Sequence, residues 1–419
     1  MAQPHLNRRD LLKWVTGLGM SFALPTLDLR AASRRGEERP RSLITVWLSG
    51  GPSQLETWDP HPGTNIGGPT KAIPTSIPDV EIASSFPRLA DQMQHLSVIR
   101  SLVSKEGDHD RATYLVKTGF RPDPTLRHPS VGAIVAHALP NDRLEIPPVI
   151  SLGYDHRLSR GGFLGGRFDA LRVRQPGSSE NDMKAWLAEP RQQRRLSNLD
   201  VVAQAFTRGR KVVVDRTMHE HNLDAALKMM TSDQMKAFRL DNERASTRAA
   251  YGDSNFGRGC LVARRLIEQG VRAVEVTLQN FDTHDQNFGQ HDELATVLDP
   301  AFAALLKDLH DRDLLESTVV LCLGEFGRTP NINGADGRDH WPHGFSCLLG
   351  GGNLRGGVLL GATDPTGERK SPSDPISVPD LYATVLKGMG IDPTHQVDTS
   401  IGRPSRYSDG TPIDRLLNG

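Results

Sequence analysis

From residue 42 onward, two hydrophobic patterns alternate along the chain. Short, nearly continuous apolar runs rich in β-branched residues predict buried strands: SLITVWLSGG, which stops at Gly50 and Gly51, then VRAVEVTLQ, STVVLCLG and GFSCLLGGG. Between them, apolar positions recur at helical spacing in HDRATYLVKTGF, which ends at Gly119, in GCLVARRLIEQG, closed by Gly270, and in ATVLDPAFAALLKDLHDRDLL and VPDLYATVLKGMG. FPRLADQMQHLSVIRSL reads as an amphipathic helix running into a short strand. Continuous apolar strands belong to sheets covered on both faces, and their alternation with helices predicts an α/β fold: a doubly wound, mostly parallel sheet with helices on both faces.

The pattern lapses from about Tyr154 to Ala250, where the chain turns polar and irregular and then helical in LDAALKMMTSDQMKAFRLDNE. This stretch is expected to be an insertion or cap within one α/β domain covering residues 33–419. Ahead of the domain, NRRDLLKWVTGLGMSFALPTL joins Arg8 and Arg9 to a short apolar run broken by Gly17 and Gly19. The run is too short and too weakly apolar to span a bilayer, so no stable membrane span is expected. Its layout is that of a twin-arginine export signal over residues 1–32, which predicts a periplasmic or cell-envelope protein.

Composition narrows the choice of ligand. The 419 residues carry 50 Lys and Arg against 50 Asp and Glu, with no basic block, which argues against a nucleic-acid partner. Cys260, Cys322 and Cys347 lack metal-ligand spacing and read as buried apolar residues, with a Cys322–Cys347 bridge open if their strands are neighbours.

Three predicted strands end in loops dense in acids and histidines, where open α/β sheets bind ligands. FDTHDQNFGQHD gathers Asp282, His284, Asp285, His291 and Asp292, residue types that suit zinc, manganese or iron; plain capping of the next helix is the alternative. GEFGRTPNINGADGRDHWPHG places Glu325 at a strand tip, then Arg328, Arg338, Asp339, His340 and His343. It reads as ligands plus an anion-gripping guanidinium, or as an ion-pair knot in which Arg328 and Arg338 hold Glu325 and Asp339. After the first strand come Ser49, Ser53, Glu56 and Asp59, more turn than nucleophile. EGDHDRATYLVKTGF sets Asp108, His109 and Asp110 at a helix start with Arg111 just inside, suited to an anion or to capping. LLGGGNLRGG fails as a dinucleotide fingerprint because Arg355 stands where the third glycine belongs.

The segments WLSGGPSQLETWDP, DHDRATYLVKTG, YGDSNFGRGCLVARRLIEQGVRAVEV, FDTHDQNF, GEFGRTPNINGADGRDHWPHGFSCLLGGGNLRGGVLLGATD and VPDLYATVLKGMGID, with a late GRP, run in order from about residue 43 to 404. Together they resemble an exported bacterial family, domain of unknown function 1501, within the alkaline-phosphatase-like and sulfatase-like superfamily. The resemblance implies an alkaline-phosphatase-like α/β core, one or two divalent metals (zinc, manganese, iron or calcium), and hydrolysis of phosphate or sulfate esters. By position it implies Asp282, His284, Glu325, Asp339 and His340 as metal ligands, Arg111 and Arg328 as anion grips, and His109 or a metal-bound water as attacking group or proton carrier. The sulfatase nucleophile position falls on Gly107, and the first strand ends in SGG instead of an acid. The alternative is therefore a scaffold without catalysis that binds a glycan, a metal or a protein partner.

Overall fold

The computed structural model describes residues 42–178, 189–208, 219–399 and 401–418; the expected signal segment lies outside them. Nine strands form one sheet: β1 (Ser42–Leu48), β2 (Leu96–Val103), β3 (Val149–Leu152), β4 (Leu171–Val173), β5 (Ala273–Leu278), β6 (Thr318–Leu323), β7 (Phe345–Gly350), β8 (Leu359–Leu360) and β9 (Ile376–Ser377). Their order is β8-β2-β7-β6-β1-β5-β3-β4, with β9 also on β2. Only β7 runs antiparallel to its neighbours β6 and β2; every other pairing in the sheet is parallel.

The helices over eight or more described residues are α1 (His109–Thr118), α2 (Val131–Ala138), α3 (Glu189–Thr207), α4 (His219–Thr231), α5 (Asn255–Glu268), α6 (Asn287–Asp311) and α7 (Val378–Gly388). Alternation along β1 sends Ile44, Val46 and Leu48 into a core with α5 and α6, and Leu43 and Trp47 into a second core with α1, α2 and α7. The sheet is thus doubly wound and covered on both faces, as the apolar runs predict. Leu171–Val173, inside the stretch expected to be an insertion, supply the edge strand β4 beside β3.

Two local expectations change. In FPRLADQMQHLSVIRSL only Pro87–Ala90 and the 3-10 turn Met93–His95 are helical, while the strand takes eight residues. Pairing of that strand with β7, β8 and β9 outweighs the weak helical period ahead of it. The possible disulfide is excluded: Cys322 sits opposite Leu348 and both face the α5/α6 core, whereas Cys347 faces the other, and all three thiols are free.

Because β6, β1 and β5 are adjacent and parallel, their carboxyl ends lie side by side at one edge of the sheet. The loops after them meet there, joined by the start of α1.

Candidate metal centre

At this edge three imidazoles converge on one carboxylate. Asp282 leaves the loop after β5; its Oδ1 lies 3.1 Å from His284 Nε2 and 3.2 Å from His340 Nε2, and its Oδ2 lies 3.2 Å from His109 Nε2. The Nε2 atoms of His284 and His340 are 3.0 Å apart. Ligand atoms of His109, Asp282 and His340 all fall within 4.8 Å of one another. His109 occupies the first turn of α1, which Asp108 caps by accepting from the Arg111 amide, so the capping reading of that aspartate holds.

Each ring is aimed from behind. Nδ1 of His109 faces Glu325 Oε1 at 2.9 Å, Nδ1 of His284 faces Asp339 Oδ1 at 3.0 Å, and Nδ1 of His340 faces the Gly107 carbonyl at 2.8 Å. These oxygens only accept, so each Nδ1 carries a hydrogen and each Nε2 is the atom turned toward Asp282. His284 Nε2, His340 Nε2 and Asp282 Oδ1, all within 3.2 Å of one another, could serve together as ligands to one cation. Two donors bound to one ion at about 2.0–2.2 Å stand roughly 2.8–3.6 Å apart, from octahedral to tetrahedral angles, so the spacing fits a single divalent ion. Phe326 packs against the rings of His109 and His340 at centroid distances of 4.9 and 4.4 Å.

A buried frame holds the loops. Arg328, 0% exposed, donates Nη2 to Asp282 Oδ1 at 2.6 Å, to the Phe281 carbonyl at 3.1 Å and to the Gly50 carbonyl, Nε to the Gly51 carbonyl at 2.8 Å, and Nη1 to the Arg338 carbonyl at 3.1 Å. Gly50 has φ +114°, and a Cβ there would meet the Asp282 amide nitrogen at 2.5 Å; its own N–H donates to Glu325 Oε1 at 2.9 Å. The first strand therefore ends in glycine so that the Asp282 loop can lie against it. Deeper, Arg338 makes two bonds of 3.0 and 2.9 Å to Glu56, which also accepts from Asn287 at 2.7 Å.

Burial would raise the Asp282 carboxyl, but hydrogen bonds from His109, His340 and Arg328 together with the Arg328 charge hold it far below the carboxylate range. The hydrogen bonds to Asp282 and then to Glu325 raise His109 to about 9 against the opposing effect of burial. Burial lowers Arg328, and Asp282 opposes that shift.

Of the expected ligands, Asp282, His284 and His340 come together. Glu325 and Asp339 stand one step back, each behind an imidazole, and His109, expected as proton carrier, enters the inner group. Arg328 is corrected from anion grip to internal brace, since its nitrogens all face protein oxygens. Arg111 lies on the outside, its side chain 56% exposed and bonded to Glu106 at 2.7 and 3.2 Å. Arg338 is buried in an ion pair, but with Glu56 rather than with the expected Glu325 or Asp339, and Arg328 pairs with Asp282. His291 is structural, accepting from the Ser53 amide at 3.0 Å. The orienting carbonyl of Gly107 could not be read from sequence, because its role belongs to the backbone.

A family model described as "Protein of unknown function (DUF1501)" matches residues 40–417. A search of curated proteins finds no match. Similar solved structures include Ps i-CgsB (8% identity, 89% of this chain and 75% of that one, TM-score 0.43). They also include a protein in the alkaline phosphatase superfamily from Vibrio parahaemolyticus (10%, 85% and 67%, 0.38) and the C-terminal periplasmic domain of EcEptC from Escherichia coli in complex with Zn (11%, 91% and 92%, 0.39). Identities and TM-scores this low assign no chemistry to this chain.

Proposed function

The chain belongs to the family described as protein of unknown function DUF1501, and from that premise we propose that it is a metal-dependent hydrolase-like protein acting on an anionic phosphate or sulfate ester, exported through the twin-arginine route to the periplasm or cell envelope. One observation carries the chemistry: three Nδ1-anchored imidazoles turn Nε2 toward a single ionised carboxylate. His109, His284, His340 and Asp282 would hold the ion. A nitrogen-rich set favours zinc, manganese or iron over calcium, which takes oxygen ligands.

The bound ion would polarise an ester oxygen and acidify a water. The chain's own residues arrange the rest. Glu325, Asp339 and the Gly107 carbonyl fix the three rings, and Arg328 locks the Asp282 carboxylate and keeps it charged. Among the described residues, none of the hydrogen bonds made by the four side chains involves a Ser, Thr or Cys, and Gly107 offers only a carbonyl where a sulfatase-type nucleophile would stand. Attack therefore falls to water. That same missing nucleophile supports the second reading, a metal-binding scaffold without turnover.

Elemental analysis of the purified protein and a panel of aryl phosphates and sulfates separate the two. About one transition metal per chain with turnover of one ester class, both abolished in Asp282→Asn, is the expected result. Metal without turnover leaves the scaffold, and no metal rejects both.

A further inference from the structure

A cleft of about 610 Å³ lies away from this cluster, between the loops after β1 and the first half of α6. That volume is typical of small-molecule sites. Of its three lining acids, Asp292 is exposed and accepts from the Ser85 hydroxyl, and the other two are held by protein donors. Glu56 is bound by Arg338 and Asn287, and Asp299 accepts from the backbone amides of Leu89 at 2.8 Å and Arg88 at 3.2 Å. The side chains of Lys71 and Arg88, both exposed and both lining the cleft, form no ion pair among the described residues. The exposed charge in the cleft is therefore two cations against the single carboxylate of Asp292. Hydroxyls are present as well, and Pro300, inside α6, has no N–H to give the carbonyl of Thr296 its usual helical donor; both residues line the wall. The half-buried ring of Phe288 adds a flat apolar face and sits 5.5 Å from the Arg338 guanidinium.

We propose that this cleft is a second binding site, for a hydroxyl-rich organic anion of the acidic-saccharide class. The two unpaired cations take its charge, the Thr296 carbonyl and the serine and threonine hydroxyls take its hydroxyls, and Phe288 takes a ring face. The site shares no residue with the metal cluster, so it stands whether or not that cluster turns over an ester.

Titration calorimetry on the full, metal-loaded protein tests it, with a sulfated oligosaccharide, a uronate oligosaccharide and a neutral oligosaccharide of equal length. The two acidic ligands are expected to bind and the neutral one to bind at least about tenfold more weakly. The Lys71→Ala/Arg88→Ala variant should lose about tenfold in affinity, with its melting temperature and metal content unchanged. Thr296→Trp, which fills the cleft from an exposed position, should lose binding likewise, while Asp282→Asn should keep it. Equal binding of the neutral ligand, no binding of either acid, wild-type binding by both cleft variants, or loss of binding in Asp282→Asn overturns the proposal. The last outcome would move the ligand to the metal centre.

Discussion

Arg328 was readable as a charge beside a strand end, but its direction was not. In the folded chain its nitrogens close on four backbone carbonyls and one carboxylate, all within the sheet edge. Replacing it by Met keeps the bulk and removes the donors, leaving buried carbonyls at about 1–3 kcal/mol each. Arg328→Met should therefore lose about 3 kcal/mol or more in urea unfolding, and should bind metal poorly even where it folds. Arg111→Ala, by contrast, removes a solvent-facing guanidinium from Glu106, which Arg121 still holds, so its stability and metal content should match the parent protein. The two arginines look alike in sequence. Burial alone separates them.

At the scale of elements, the loop between β6 and β7 and the loop after β5 interlock backbone to backbone. A Cβ on Gly337 would lie 1.8 Å from the His284 carbonyl oxygen, so Gly337→Ala must push the two ligand-bearing loops apart. Metal affinity should fall by about 10–100-fold, the range seen when supporting groups around ligands are lost, while the far-ultraviolet circular dichroism stays unchanged. α1 carries a second dependence at its other end. Lys117, 6% exposed, reaches Glu275 Oε1 on β5 at 2.8 Å and also bonds Asp155. Burial would lower its pKa, but the two carboxylates raise it above the ordinary 10.5. Its stabilising contribution is thus complete below that value and fades as pH rises beyond it. Lys117→Met strands two buried carboxylates and should cost about 3–5 kcal/mol in chemical denaturation. The same helix sets His109 in place, so this change should also weaken metal retention.

For the whole molecule, a metal held only by the folded chain adds stability by mass action, about 4 kcal/mol when free metal exceeds its dissociation constant by roughly a thousandfold. Chelation should lower the melting temperature of the parent protein, and added zinc or manganese should restore it; Asp282→Asn should show neither response. The sequence by itself determined the layers. Near-continuous apolar strands and amphipathic helices can be buried only in a sheet covered on both faces, and polar loops collect at strand ends because the strands themselves have no room for charge. It also brought forward Asp282, His284 and His340, since few other residue types serve a divalent ion. Only the tertiary structure decided who stands inside and who behind. His109 arrives from a helix 173 positions upstream of Asp282, Glu325 and Asp339 retreat to aim the rings, and Gly107 contributes a carbonyl. Those roles depend on distances of about 3 Å set by strand order and glycine contacts, and residue type along a chain carries no record of them.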